Sequence, residues 1–256
     1  DLSKVAMFGP DKRNVHASEF LYRKHVLIVR GSYRPATLVN MDMIRVANDQ
    51  FRKEQEVDSK KTFMLTEITL DNLSSDGELD EQDFIDRAEL LCALGQTVVI
   101  SNCKKYSQLI NYLADFKVQH LGMAIGVRQL LDLISQKYYQ NRDDRLLMAM
   151  GEIFRKDVRM YVYPAYQEGV EELMTAHNLP VPEGVDLLYK HLLKNKHIVD
   201  LKGFDEDVLH IFSKDVLEML QQDETGWEEM VPQRVAQLIR EKALFGFPIQ
   251  KLEFEY

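Results

Sequence analysis

Short apolar runs alternate with amphipathic segments along the first two thirds of the chain. The runs predict strands at Val26–Val29, Thr62–Thr69, Thr97–Ser101, Leu121–Ile125 and Arg159–Tyr163. The segments with helical spacing predict helices at about Asn40–Lys53, Glu81–Leu94, Tyr106–Phe116, Arg128–Tyr139 and Arg145–Phe154. Such alternation is typical of α/β proteins with right-handed crossovers. We therefore predict a doubly wound, Rossmann-like parallel sheet of about five strands.

The last third of the chain has mainly helical patterns. They predict helices at Val185–Asn195, Glu206–Leu220 and Pro232–Lys242. Residues 1–24 are polar and mixed, with one short helix predicted around His16–Arg23. We expect three parts in the chain: a lead-in segment at 1–24, one α/β domain at 25–246 with a helical C-terminal part, and a tail at 247–256.

The segment after the first predicted strand is the strongest candidate for a ligand site. The run Val26–Val29 suits a strand that is covered on both faces, and a loop follows it at once. Gly31 permits a sharp turn there, and Asn40 is a suitable N-cap for the helix beyond. A strand, a glycine turn and a helix N-terminus form an anion site, and Arg30 and Arg34 flank this turn.

Residues 31–44 resemble the first signature of the nucleotidylyltransferase superfamily. They read G-S-Y-R-P-A-T-L-V-N-M-D-M-I, and the signature reads G-S-F-D-P-x-T/H-x-G-H-x-x-x-I. The matching positions are Gly31, Ser32, Pro35, Thr37 and Ile44, with Tyr33 in place of phenylalanine. The sequence departs from the T/H-x-G-H element of the signature, because Val39 replaces its glycine and Asn40 replaces its last histidine.

A second segment is similar to the C-terminal signature of the nicotinate-nucleotide branch of that superfamily. Residues 210–217 read H-I-F-S-K-D-V-L, and Met230-Val231-Pro232 follow; the signature reads I-S-S-T-x-I-R, a spacer and V-P-x-x-V-x-x-Y-I. Ser213 takes the position of the second serine and Lys214 that of the threonine, whereas Leu217 replaces the arginine. The two signatures are degenerate but stand in the expected order.

The resemblance implies adenylyl transfer from ATP, with Mg²⁺, to a nicotinate or nicotinamide mononucleotide-like acceptor. On this chain it assigns catalytic roles to Thr37 and Asn40, and nucleotide binding to Gly31, Ser32, Tyr33 and Ser213. To these we add Arg34 as a catalytic residue and Lys214 as a nucleotide-binding residue. Thr37 and Asn40 can donate hydrogen bonds to phosphate, although neither carries a charge. We hypothesise that Arg34 and Lys214 supply the positive charge that the family has at the two altered positions.

Three alternatives remain open at this stage. The chain is also compatible with a catalytically inactive relative that serves as a nucleotide sensor or as a protein-interaction module. The match of the loop to the signature is further compatible with coincidence in an unrelated Rossmann-like enzyme. The purely structural interpretation of residues 31–40 is an ordinary strand–turn–helix junction without a ligand.

The composition of the chain limits the classes of partner and the cellular location that we expect. The net charge of −9 argues against nucleic acid or an anionic membrane as the main partner. Two cysteines and the lack of a signal peptide or an apolar run of about 18 residues favour a cytoplasmic protein. Residues 72–83 superficially fit a calcium loop, but we assign no metal ligands. The chain starts at Asp1, so a flanking domain of a longer protein is open, as is a homo-oligomer.

Overall fold

The computed structural model describes residues 5–69, 81–135, 142–154, 158–166 and 172–248, apart from the side chains of Glu81 and Asp143. The strands within these ranges are β1 (Val5–Phe8), β2 (His25–Arg30), β3 (Thr62–Thr69), β4 (Val98–Ser101), β5 (His120–Gly126), β6 (Val158–Tyr163), β7 (Ala165–Tyr166), β8 (Leu173–Met174) and β9 (Ile198–Asp200). The helices are α1 (Ala17–Leu21), α2 (Leu38–Arg52), α3 (Glu81–Ala93), α4 (Tyr106–Ala114), α5 (Val127–Ile134), α6 (Asp143–Ile153), α7 (Asp186–Lys194), α8 (Ser213–Gln221) and α9 (Gln233–Lys242).

The described strands form a seven-stranded sheet in the order β1-β4-β3-β2-β5-β6-β9, and β7 and β8 form a separate hairpin. Only β1 runs antiparallel to its neighbour in the large sheet. Without β1, this is the doubly wound Rossmann order, with a topological switch between β2 and β5. The predicted fold class is confirmed. The predicted number of strands was too low, because β1 and β9 were not foreseen.

Both missed strands are short strands at the edges of the sheet. β1 lies in the segment 1–24, where one helix was predicted, and it pairs with β4. β9 has only three residues and pairs with β6. The three residues of β9 are too few to show a hydrophobic pattern, whereas the four apolar residues of β1 form a run that the prediction overlooked. The domain limits at 24 and 246 stay predictions, and residues 249–256 lie outside the described ranges.

Two helix boundaries differ from the predicted ones in ways that affect the ligand site. The predicted helix Glu206–Leu220 is split into a 3-10 turn at Glu206–Val208 and α8, which begins at Ser213. α2 begins at Leu38 with Thr37 as its N-cap, so the prediction that Asn40 is the N-cap was wrong. Asn40 instead occupies the third helical position.

Alternate residues of the central strands enter two separate cores. Val26 and Ile28 of β2 belong to the core beneath α4, α5, α6 and α7. Leu27 and Val29 belong to the core beneath α2, α3, α8 and α9. The strand is therefore buried on both faces, as its continuous apolar run predicts. Among the described residues, no helix is long and apolar enough to cross a lipid bilayer.

Gly122 allows α2 to pack directly on β5. A Cβ atom at this position would lie 2.9 Å from Cδ1 of Leu27 and 2.9 Å from Cδ2 of Phe51, which is the last buried residue of α2. Since both neighbours are themselves buried, they have little room to move away.

We predict that Gly122→Ala lowers the free energy of unfolding by about 1–3 kcal/mol through overpacking. Gly151→Ala in α6 is the matched control, because a Cβ atom there meets nothing within 4 Å. This control is expected to be neutral or to stabilise by up to about 1 kcal/mol, since alanine favours helix. Urea denaturation measures both changes, and an equal effect of the two substitutions would contradict this packing account.

His25 is a buried titratable group at the start of β2. It is 4% exposed and its ring stacks on that of His120, with 5.1 Å between the ring centroids. Burial and the neighbouring His120 lower the pKa of His25 below the ordinary value of 6.5. The folded protein therefore binds a proton at His25 less readily than the unfolded chain.

The protein should consequently lose stability as the pH falls below about 6.5, where the unfolded chain takes up the proton first. We predict that His25→Asn makes the free energy of unfolding less dependent on pH between about 7.5 and about 5. His210→Asn, at an exposed histidine, is the control. Denaturant titrations at several pH values test this, and an unchanged pH slope in His25→Asn would refute it.

Candidate functional site

A cleft of about 230 Å³ opens at the carboxyl edge of the sheet, at the switch between β2 and β5. Its walls come from the loop after β2, the start of α2, the start of α5, the end of β6 and the segment before α8. The lining residues are Arg30, Gly31, Ser32, Val39, Asn40, Met43, Gly126, Val127, Arg128, Gln129, Tyr163, Pro164, Ala165, Leu209, Ile211, Phe212 and Ser213. This is the position where doubly wound sheets bind their ligands.

The turn after β2 folds around the side chain of Tyr33. This residue is fully buried, adopts a φ of 50°, and donates a hydrogen bond from its hydroxyl to the carbonyl oxygen of Val29 at 2.8 Å. A Cβ atom on Gly31 would lie 2.9 Å from Cζ of Tyr33, so the tyrosine ring requires glycine here. Ser32 is exposed, and its carbonyl oxygen accepts a hydrogen bond from Arg87 at 3.3 Å. Gly31 and Ser32 line the cleft, whereas Tyr33 supports the turn from beneath.

Thr37 and Asn40 are bonded to each other at the start of α2. Oδ1 of Asn40 accepts hydrogen bonds from the amide N–H and the hydroxyl of Thr37, both at 3.0 Å. A side chain at the third helical position that reaches back to the N-cap is the arrangement of a capping box. Thr37 is fully buried, while Asn40 lies at the wall of the cleft with its amino group as the remaining donor.

Ser213 brings the second signature segment to the same place. It is the first residue of α8 and lines the cleft. Its hydroxyl oxygen lies 3.5 Å from Oδ1 of Asn40, although the two residues are 173 positions apart in the chain. The two segments with family resemblance therefore meet at one cleft.

The two cations that were expected to replace the lost charge lie elsewhere. Arg34 forms an ion pair with the buried Asp83, with 2.7 Å between Nε and Oδ1. Lys214 is 83% exposed, and its ammonium group lies 3.7 Å from Glu218. Neither is among the described residues that line the cleft. Their contact with phosphate stays a prediction.

Two other arginines line the cleft: Arg30, which was expected to flank the anion site at the turn, and Arg128, for which no role was predicted. Arg30 ends β2. Arg128 stands in the first turn of α5, where its guanidinium donates to the carbonyl oxygen of Tyr166 at 2.9 Å and lies 5.2 Å from the ring centroid of Phe212. The signal that could have found Arg128 is its place directly after a predicted strand, at the edge where ligands bind.

The electrostatic character of the cleft follows from its helices. α2, α5 and α8 all begin at its walls, so their N-termini direct partial positive charge towards it. Within the described residues, the lining contains two arginines and no carboxylate. The cleft therefore suits an anion, although the whole chain carries a net charge of −9.

Mg²⁺ is usually held by protein carboxylates together with phosphates. The described lining offers no such ligand, and we assign none of its residues to the metal.

Asp42 joins three walls of the cleft. Its Oδ2 accepts hydrogen bonds from the hydroxyl of Tyr163 at 2.7 Å and from the amide of Asp205 at 2.9 Å, and Oδ1 accepts from Arg45 at 3.1 Å. Burial and the bond to Asp42 raise the pKa of Tyr163, so its hydroxyl remains a donor at neutral pH. The carboxylate thus ties α2 to the end of β6 and to the segment that leads to Ser213.

Comparisons with known proteins support the fold. A scan against protein-family models and a search of the curated proteins return no match. Among solved structures, the chain is similar to the Plasmodium falciparum nicotinic acid mononucleotide adenylyltransferase complexed with APC. The TM-score is 0.52 and the sequence identity is 9%, and the match covers 89% of this chain and 100% of that chain. The same enzyme complexed with NaAD matches with a TM-score of 0.52 and 11% identity over the same shares. The chain therefore shares its Rossmann-like α/β fold with these solved structures.

We predict that Asp42→Ala lowers the free energy of unfolding by about 3 kcal/mol, because it leaves the buried hydroxyl of Tyr163 and the partly buried amide of Asp205 without a partner. Gln50→Ala is the matched control, since Gln50 binds the same segment at Asp200 and Lys202 but at a more exposed position. Urea denaturation compares the two. A loss in Asp42→Ala no larger than that in Gln50→Ala would contradict the role of Asp42 as the junction.

Proposed function

We propose that this protein binds a phosphate-bearing nucleotide in the switch-point cleft and transfers an adenylyl group from ATP to a nicotinate or nicotinamide mononucleotide-like acceptor. One observation carries the proposal. The segments with the two signatures meet at the cleft, with 3.5 Å between the hydroxyl oxygen of Ser213 and Oδ1 of Asn40. A coincidental match of either segment gives no reason for this contact.

The fold and the electrostatics support the same proposal. The neighbours in structure are named nicotinic acid mononucleotide adenylyltransferase, and one is a complex with NaAD. Three helix N-termini and two arginines at the cleft favour an anionic ligand.

The proposed reaction requires positioning more than covalent catalysis. An oxygen of the acceptor's phosphate attacks the α-phosphorus of ATP, a new P–O bond forms, and the bond to the β-phosphate breaks to release pyrophosphate. The protein would hold both reactants in line and stabilise the charge that develops. We assign hydrogen bonds to phosphate oxygens to the amino group of Asn40, the hydroxyl of Ser213 and the turn at Gly31 and Ser32.

Thr37 has a supporting role in this proposal. Its hydroxyl and amide are both bonded to Oδ1 of Asn40, and the residue is fully buried. It would therefore fix the orientation of Asn40, so that the amino group of that side chain is directed to the ligand. Arg34 and Lys214 would need to leave Asp83 and Glu218 to reach a phosphate.

A second function, nucleotide sensing without turnover, is favoured by the two substitutions in the first signature, Val39 and Asn40. Asn40 cannot carry the charge of the family's histidine, and its Oδ1 is already occupied by Thr37. The loss of one charged hydrogen bond in a transition state costs about 2–4 kcal/mol. Binding can survive such a loss, whereas turnover falls by about thirtyfold to about a thousandfold. A cytoplasmic location and a homo-oligomer stay predictions.

Nucleotide titrations test the proposal. We expect nicotinic acid mononucleotide and ATP with Mg²⁺ each to raise the melting temperature, because both bind only the folded protein. Pyrophosphate release then separates an enzyme from a sensor. The double variant Val39→Gly/Asn40→His should raise the rate of release at least about tenfold by restoring the histidine.

Asn48→His is the matched control, because Asn48 lies on the same helix and is not among the described residues that line the cleft. It should leave the rate unchanged. A wild-type protein whose melting temperature responds to neither nucleotide would refute the proposed function.

A further inference from the structure

We infer that Arg30 is the residue that binds the ligand's phosphate in this cleft. The inference rests on the proposed nucleotide-binding function and deepens it, because it names the cation that takes over from the histidine missing at position 40. From the sequence alone, Arg30 and Arg34 are equally good candidates for a phosphate contact, because both flank the turn. The structure separates them, since Arg30 lines the cleft and Arg34 is paired with Asp83.

The guanidinium of Arg30 is held rigidly on one edge. Its Nε and Nη2 donate to the two carboxylate oxygens of Glu67 at 2.5 Å and 2.8 Å, and Nη2 also donates to the carbonyl oxygen of Cys103 at 3.2 Å. Its plane lies over the ring of Tyr106, with 4.3 Å from Cζ to the centroid. The whole residue is only 6% exposed. A bidentate pair with stacking fixes the group in one orientation before any ligand arrives.

Glu67 is fixed in turn. It is fully buried at the end of β3 and accepts a hydrogen bond from the hydroxyl of Ser101 at 2.5 Å. Ser101 ends β4, and its hydroxyl oxygen accepts from the amide of Cys103 at 3.3 Å. The ends of three adjacent strands, β2, β3 and β4, are thus connected by one network that holds Arg30 in place.

One nitrogen of Arg30 is left over for a ligand. The contacts with Glu67 and Cys103 use Nε and Nη2, and Nη1 has no hydrogen bond to any residue within the described ranges. Nη1 has two N–H groups, and Arg30 is among the residues that line the cleft. A guanidinium that is clamped on one edge and open on another can donate to a phosphate oxygen without being reordered.

The rest of the cleft agrees with a phosphate beside Arg30. Gly31 and Ser32 follow it directly, and the first turn of α2 begins at Leu38 on the neighbouring wall. The first amides of an α-helix have no partner within the helix and favour anions. Arg30 therefore lies where a phosphate would meet both a guanidinium and the positive end of α2.

A double variant tests the inference without leaving a buried charge unpaired. Arg30→Met/Glu67→Gln removes the cation and neutralises its partner, and the new amide side chain at position 67 can still accept a hydrogen bond from Ser101. The matched control is Arg159→Met/Glu54→Gln. Arg159 and Glu54 form an Arg–Glu ion pair that is more exposed and lies at the opposite edge of the sheet, away from the cleft.

The readout is the phosphate preference, which is the ratio of the Kd of nicotinic acid riboside to that of nicotinic acid mononucleotide by calorimetry. We expect Arg30→Met/Glu67→Gln to weaken the mononucleotide at least about tenfold and to change the riboside little, because a hydrogen bond to a charged group is lost. The control should stay within about threefold of the wild type for both ligands. Glu67→Gln alone should retain the preference, since Arg30 remains.

Arg30→Lys is a second test if the double variant fails to fold. Lysine keeps a charge beside Glu67 but lacks the second arm of the guanidinium, so it should lose most of the phosphate preference. A phosphate preference within about threefold of the wild type in a folded Arg30 variant would overturn the inference and leave the proposed function standing. A wild-type protein that binds neither nicotinic acid mononucleotide nor ATP would overturn the proposed function and this inference with it.

Discussion

The chain reverses its winding direction between β2 and β5, and the candidate site depends on this reversal. From β2, the connections through α2 and α3 cover one face of the sheet, and from β5, the connections through α5, α6 and α7 cover the other face. The first turns of α2 and α5 therefore diverge, and a gap remains at the carboxyl edge that side chains alone do not fill. The segment before α8 closes this gap from the third side, and Asp42 holds it there.

The local field of the site differs from the charge of the whole molecule. The chain carries −9, yet the described lining of the cleft has arginines, helix N-termini and no carboxylate. Glu67 lies just behind Arg30 and offsets the cost of burying that cation. It also restricts which N–H groups can face a ligand. The negative net charge of the chain therefore does not exclude a small phosphate compound as a ligand of this cleft.

The central sheet could be predicted from the sequence, because its strands are buried on both faces and leave continuous apolar runs such as Val26–Val29. The edge strand β9 could not, since its three residues, Ile198–Asp200, are too few to show an alternation of apolar and polar positions. At the site, the local pattern located the turn at Gly31, and the resemblance of Ser213 led to the same cleft. The partners of Arg30 and Arg34 are Glu67 and Asp83, which tertiary folding brings in from other elements. Spacing along the chain does not reveal such pairs, so the sequence alone could not separate the two arginines.

Catalysis and sensing both require the same nucleotide-binding step. Val39 and Asn40 bear only on whether the chemical step follows. The most direct measurement is a crystal structure of the protein soaked with nicotinic acid mononucleotide. We predict density for the phosphate between the Nη1 group of Arg30 and the first turn of α2. Phosphate density at the opposite edge of the sheet, beside Arg159 and Lys196, with an empty switch-point cleft would contradict it.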